Sequence, residues 1–217
     1  MNHSSAPPSR RRQAERSEQT RARILDATLD CLAQYGYAGT GVAQVIAQAG
    51  VSRGAWSHHF ASMNALIVAA AEHLMQRVYA QLGQVMRAVA QPQPTADTLL
   101  RSVWRDFFVS EVNEIYLQLL IAARHAPELA NTLRALSDRL AGHLDQLAAT
   151  QVAATSAAVL QPLETLALSR WVLRGLALDA PLMPQAHIEQ ALDAWIRLLS
   201  SQIERRSPSA TRATPRR

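Results

Sequence analysis

The stretch VSRGAWSHHF, Val51 to Phe60, gathers the side chains most able to do chemistry: two serines, an arginine and two adjacent histidines, set beside a glycine and a tryptophan. A zinc-like ion needs three or four converging ligands, and a helix brings two together only at i, i+3 or i, i+4. His58 and His59 are instead neighbours about 100° apart around a helix axis, and no Cys, Asp or Glu lies within a turn of either. A nucleophilic pair fares no better. Ser57 adjoins His58, but a hydroxyl one residue from an imidazole on a helix points elsewhere, and no acid is placed to orient the base. No metal, no cofactor and no catalytic residue is therefore expected, and the chain is not read as an enzyme. The remaining chemistry is recognition. Ser52, Gly54, Ala55 and Ser57 are small enough to let a helix approach a major groove closely. Arg53 can reach guanine edges or phosphate, and His58 and His59 can donate to phosphate oxygens. Val51, Trp56 and Phe60 are left to hold the helix down.

Such a helix needs a second one to position it. Val42, Val45, Ile46 and Ala49 step at i, i+3, i+4 and i+7 after Thr40, a good N-cap, and Gly50 can take the left-handed turn that follows. Ser52 caps the short reading helix, which ends near His59, so the pair has the lengths of a helix-turn-helix. Upstream, Ile24, Leu25, Thr28, Cys31, Leu32 and Tyr35 form one face of a helix from about Thr20, stopped by Gly36. Downstream, Ser62 caps a long helix whose stripe runs Ile67, Ala71, Leu74, Val78, Leu82, Val85 and Val89 until Pro92 and Pro94 break it. Further helices carry Leu100, Val103, Trp104 and Phe107, then Ile115 to Ala123, then Leu129 to Leu147 after Pro127. The segment 151–162 reads as a connection, and two last helices cover about 162–178 and 186–204. No stretch alternates with period two, so the fold class is all-α.

With 217 residues and 48% hydrophobic composition the chain can build a real core. Its single cysteine, Cys31, sits on an apolar face and reads as packing. No signal peptide or membrane span is evident, so a cytoplasmic protein with no membrane partner is expected. Residues 1–64 hold seven Arg against four acids, 65–203 ten against twelve, and 204–217 five against one. Basic ends and a slightly acidic middle fit an amino-terminal module facing a polyanion.

TRARILDATLDCLAQYGYAGTGVAQVIAQAGVSRGAWSHHFASMNAL, Thr20 to Leu66, resembles the TetR/AcrR transcriptional regulators in its T-R-x-x-I-L-x-A start, Tyr35-Gly36-Tyr37, Thr40, Ala49-Gly50-Val51-Ser52, Gly54 and His59-Phe60. The resemblance implies a helix-turn-helix DNA-binding domain joined by a long helix to an effector-binding, dimerising body. On that reading 1–17 and 206–217 are disordered basic tails, 18–78 binds DNA and 79–205 is the body. The expected DNA contacts are Thr40, Ser52, Arg53, Gly54, Ala55, Ser57, His58 and His59. The implied partners are double-stranded DNA with a pseudo-palindromic operator, a small-molecule effector, and a second copy in a homodimer. The chain departs from the family pattern at Gly41, Gln44, Ile46, Ser57 and Met63, where Ser, Asp, Ala, Tyr and a phosphate-meeting Lys are common.

In the body, Trp104, Phe107, Phe108 and Tyr116 are candidates to line an apolar pocket, with Arg124, His125, His143 and Arg174 as polar partners; aromatics at helical spacing also read simply as core. Leu166, Leu173, Leu176, Leu192, Trp195 and Leu199 give the last two helices broad apolar faces suited to a four-helix dimer interface, or else to a buried intramolecular pair. The expected function is a regulator, most simply a repressor released by a small apolar effector. The alternative is a helical scaffold without DNA binding.

Overall fold

In a computed structural model, residues 8–88 and 96–205 form helices α1 (Pro8–Gly39), α2 (Val42–Ala49), α3 (Arg53–His59), α4 (Met63–Ala88), α5 (Ala96–Val103), α6 (Glu111–Ala123), α7 (Pro127–Gln151), α8 (Pro162–Asp179) and α9 (Gln185–Gln202). Five residues after α5, Trp104–Phe108, wind as a π-helical turn, and two strands, β1 (Val152–Ala154) and β2 (Ile203–Arg205), pair antiparallel. The contacts divide into two compact units, one reaching to Arg77 with Glu114–Leu136 added, the other Val78–Asn113 with the chain from Ser137. The segment 114–136, which the sequence reading gave to the body, thus belongs with the first unit.

The fold is all-α apart from a two-stranded ladder that periodicity could not announce, since each strand has only three residues. The ladder is supported by Thr155, whose N–H donates to the Gln202 carbonyl at 3.1 Å and whose hydroxyl donates to the Ser201 carbonyl at 2.6 Å. Gln202 Oε1 accepts from Val159 N–H at 2.8 Å, so the segment read as a connection is tied down by polar contacts.

Ile24, Leu25, Thr28, Cys31 and Leu32 are buried as their spacing predicts, and the Thr28 hydroxyl is satisfied by the Ile24 carbonyl at 2.7 Å. Tyr35 differs: it is half exposed. Gly36 does not end α1 but kinks it, at φ 71° and ψ 174°, and the helix resumes to Gly39. At the other end α1 begins at Pro8, so residues 8–17 are helical where composition suggested a flexible tail. The run SRRRQAERSEQTR is rich in good helix formers and has Pro at its first turn, and it propagates from the packed part of the same helix. Residues 1–7 and 206–217 lie outside the described residues.

Asp26 ties α1 to α4. His73 Nε2 and Arg77 Nη2 both donate to its Oδ1, at 2.7 and 2.6 Å. Burial works to raise the Asp26 carboxyl, but the hydrogen bonds from His73 and Arg77, with their charges, outweigh it and hold the carboxyl below its ordinary value of 3.8. A lowered folded value means the ion pair stabilises above about pH 3.8 and that this stability is lost as the pH falls through the folded value. The urea midpoint of Asp26→Asn should therefore lie below wild type at pH 6 and converge on it as the pH falls below the folded value. Because the Asp26 side chain is 48% exposed, solvent screening keeps the difference under about 1 kcal/mol.

In the second unit the π turn follows from a Val109 N–H that reaches five residues back to the Trp104 carbonyl at 3.1 Å. The Phe108 carbonyl is met by Asn113 Nδ2 at 2.9 Å. Trp104 and Phe108 stack with ring centroids 6.3 Å apart, and Phe107 meets Phe108 edge-on at 5.2 Å. Helix α8 opens with Pro162 and a capping box in which Gln161 N–H donates to Glu164 Oε2 at 2.9 Å. It packs on α9, which also packs on α5. Leu173 of α8 and Ile188, Leu192, Ile196 and Leu199 of α9 are all buried. The sequence offered these three leucines either to a dimer interface or to a buried intramolecular helix pair; in the single chain all three are already buried. Leu166, Leu176 and Trp195 are half-buried, and the outward apolar residues are Leu163, Leu168, Trp171, Leu178 and Leu198.

Candidate nucleic-acid interface

The turn between α2 and α3 is built by Gly50, at φ 61° and ψ 42°, where an L side chain is strained. Its N–H donates to the Ala47 carbonyl and the Val51 N–H donates to the Ile46 carbonyl, both at 3.3 Å, which closes α2 with paired C-terminal bonds. Arg23 Nη2 adds a 2.6 Å bond to the Ala49 carbonyl, placing a cation at the negative end of α2. Ser52 then caps α3, its Oγ accepting from Ala55 N–H at 3.1 Å. At the start of α2 the expected Thr40 cap is replaced by Gly41, which makes no side-chain cap bond. The Thr40 hydroxyl donates instead to the Gly36 carbonyl at 2.7 Å. A Cβ at Gly41 would come within 2.9 Å of Gln44 Oε1, the flexible end of a side chain that can swing aside.

Trp56 and Phe60 face inward and are buried, and the Arg21 guanidinium lies 5.6 Å from the Phe60 ring centroid, tying α1 to the end of α3. Ser52, Arg53, Gly54, Ser57 and His58 are exposed, and Ala55 and His59 are half-buried. Seven of the eight residues expected to meet DNA are thus brought onto α3 and its cap. Thr40 is not among them: it is buried, with its hydroxyl engaged inside the fold. Ser57 Oγ donates to the Gly54 carbonyl at 3.1 Å. His58 and His59 pack ring edge to face with centroids 5.3 Å apart. Among the described residues no group of three or more His, Cys, Asp or Glu converges on a metal-sized site, and no helix is long and apolar enough to cross a membrane.

Among the described residues nothing requires Gly54 to lack a side chain. Its φ is not positive, and a Cβ there would meet only Ser52 Oγ at 3.8 Å, an ordinary contact.

The other candidates are less concentrated. Trp104, Phe107 and Phe108 form the aromatic cluster of the second unit, whereas Tyr116, Arg124 and His125 fall in the first. His143 Nδ1 donates to the Arg139 carbonyl at 2.8 Å and its ring meets Tyr79, and the Arg174 guanidinium lies over Trp171 at 5.6 Å. Residues that periodicity did not single out also face α3. Gln13, Arg16, Ser17 and Thr20 of α1 line a cleft shared with His58 and His59. The signal was present in their i, i+3, i+4, i+7 spacing, but all four are polar and an apolar stripe was the pattern sought.

The sequence model of the family described as bacterial regulatory proteins, tetR family, matches residues 24–70. The chain is 36% identical over 135 residues to the HTH-type transcriptional regulator CymR of Pseudomonas putida, spanning 61% of this chain and 64% of that protein's length. It is 31% identical over 197 residues to the HTH-type transcriptional regulator BetI of Paraburkholderia phymatum, covering 85% of this chain and 95% of that one. Among solved structures, the multidrug binding protein EbrR complexed with imidazole superposes with a TM-score of 0.58 at 26% identity, covering 88% of this chain and 97% of that one.

Proposed function

The chain belongs to the TetR family of bacterial regulatory proteins, and on that premise we propose that it is a dimeric transcriptional repressor whose α3 reads the major groove of a pseudo-palindromic operator. The observation that carries the reading is the outward face of α3, where Arg53, Ser57 and His58 flank a glycine with no internal purpose. Phosphate contacts from the histidines would set register, and Arg53 would supply base readout. A second copy would pair through the outward faces of α8 and α9, where Trp171 is 68% exposed beside Leu168 and Leu178. EbrR is a multidrug binding protein solved with imidazole; by likeness, a small-molecule effector would lower DNA affinity, with a coupling of typically 1–3 kcal/mol between the two sites.

Two substitutions test the reading face. Arg53→Ala should cost about 1–3 kcal/mol of operator affinity with little effect on random duplex. Gly54→Ala should act oppositely on its two readouts: the midpoint of unfolding holds or rises by up to about 1 kcal/mol, since alanine favours helix, while operator affinity falls because the methyl group fills the space DNA would occupy. Operator binding unchanged in both folded variants would remove α3 from the interface.

A further inference from the structure

Helix α5 gives up its α-helical winding where three aromatic side chains meet, and single π turns of this kind recur at functional sites. Trp104, Phe107 and Phe108 are buried, yet the next residue, Val109, is 58% exposed. All of the groups around the turn named here belong to the second unit. The carbonyls of Asp106, Phe107 and Phe108 accept from Gln81 Nε2, from the Ser110 hydroxyl at 2.7 Å and from Asn113 Nδ2 at 2.9 Å. Asn113 Oδ1 is the group left over. Asn113 is 1% exposed, and this oxygen meets no hydrogen-bond donor among the described residues. A buried acceptor without a donor forfeits its hydration and gains nothing in return, so it is uncommon in a native fold. Nor can the amide flip to relieve it, because the oxygen would then face the Phe108 carbonyl. The turn holds no unpaired charge: Asp106, its one acid, lies 2.7 Å from the Arg105 guanidinium.

We propose that the π turn binds a neutral aromatic molecule carrying an O–H or N–H donor, a phenol or an indole in chemical class, with its donor on Asn113 Oδ1 and its ring among Trp104, Phe107 and Phe108. The inference rests on the effector-released regulator proposed above and deepens it by naming the class of effector. The stacked pair Trp104 and Phe108 and the edge-on Phe107 offer both a face and an edge to a further flat ring. Entry is by the turn at Val109 and Ser110, the exposed end of the cluster, which opens to admit the ring. Charge decides against the alternatives. A cation on Asn113 would be buried without a counter-charge, and a carboxylate would bring acceptors to an acceptor. An apolar ring of the same shape fills the same space but leaves the oxygen unpaired, so the hydrogen bond selects among rings of equal size.

The test uses the full chain with three probes of similar shape: p-cresol, which carries a hydroxyl, p-xylene, which carries none, and p-toluate, a carboxylate. Calorimetry should show p-cresol binding about tenfold more tightly than p-xylene, with p-toluate weaker than either. In protein labelled with heavy nitrogen at asparagine alone, p-cresol should move the Asn113 side-chain amide resonance, a readout that needs no substitution. Asn113→Leu, close in size, should lower p-cresol to the affinity of p-xylene. Fluorescence anisotropy with operator duplex then separates the site from the function: p-cresol should weaken operator binding by wild type and not by Asn113→Leu. Absence of p-cresol binding, equal affinity for p-cresol and p-xylene, or an unmoved Asn113 resonance with p-cresol bound would each overturn the site and leave DNA reading by α3 intact. Binding of p-cresol through Asn113 with operator affinity unchanged would uphold the site and sink release by an effector instead.

Discussion

Leu192→Glu should abolish the cooperative unfolding of the second unit rather than release folded monomers. Leu192 is 4% exposed on α9, and Ile188, Ile196 and Leu199 of the same helix and Leu173 of α8 are buried as well. Removing a buried leucine side chain costs about 2–5 kcal/mol through lost transfer and cavity terms. Leaving a carboxylate unpaired in its place adds several kcal/mol more, or drives the group to protonate. Domains of this kind are stable by only about 5–15 kcal/mol, so the variant should show little or no thermal transition by circular dichroism. Trp171→Glu supplies the contrast. Its site is 68% exposed, so the protomer should fold with near wild-type Tm, and if the outward faces of α8 and α9 pair, light scattering should report monomers. A Leu192→Glu chain that melts like wild type would place that residue outside the core and return it to an interface.

Trp56→Ala should be the most damaging single change in the reading domain, costing about 3–5 kcal/mol. Helix α3 has seven residues, too few to persist alone in water. Its attachment rests on Trp56 and Phe60, both buried, on the Ser52 cap and on the Arg21 guanidinium over the Phe60 ring. Losing the indole removes the largest of these anchors, and DNA binding should disappear with it. Trp56→Phe should be far milder. The indole Nε1 is buried with no hydrogen-bond partner among the described residues, so phenylalanine gives up area but also discards an unpaired N–H. Hydrogen exchange should show the α3 amides unprotected in Trp56→Ala and protected in Trp56→Phe. Equal protection in both would contradict this account of what holds α3.

The reading helix was legible because its signals are local: Gly50 for the turn, Ser52 for the cap, and apolar residues at helical spacing behind an outward face of small and polar ones. Thr40 shows the limit of that logic. A threonine before a helix is a good cap by type, but the kink at Gly36 presents a nearer carbonyl, and the hydroxyl takes it. The α8 and α9 stripes were legible as apolar faces, yet periodicity cannot say whether a face is covered by the same chain or by another. Leu173 and Leu192 are buried within the single chain, while Trp171, on the other side of α8, is exposed. The π turn and the three-residue strands left no periodic trace, since each is shorter than the window over which a period is read. The α1 wall of the cleft was missed because its pattern is polar, and a polar stripe at helical spacing looks the same whether it faces solvent or a ligand.

The central claim, that α3 reads DNA as one half of a twofold pair, is most directly tested by selecting bound duplex from a random pool with the full chain. The account predicts enrichment of an inverted repeat whose half-sites are centred about one helical turn, or a multiple of it, apart, and loss of that enrichment with Arg53→Ala. Recovery of unselected sequence, or of the same motif with and without Arg53, would contradict it.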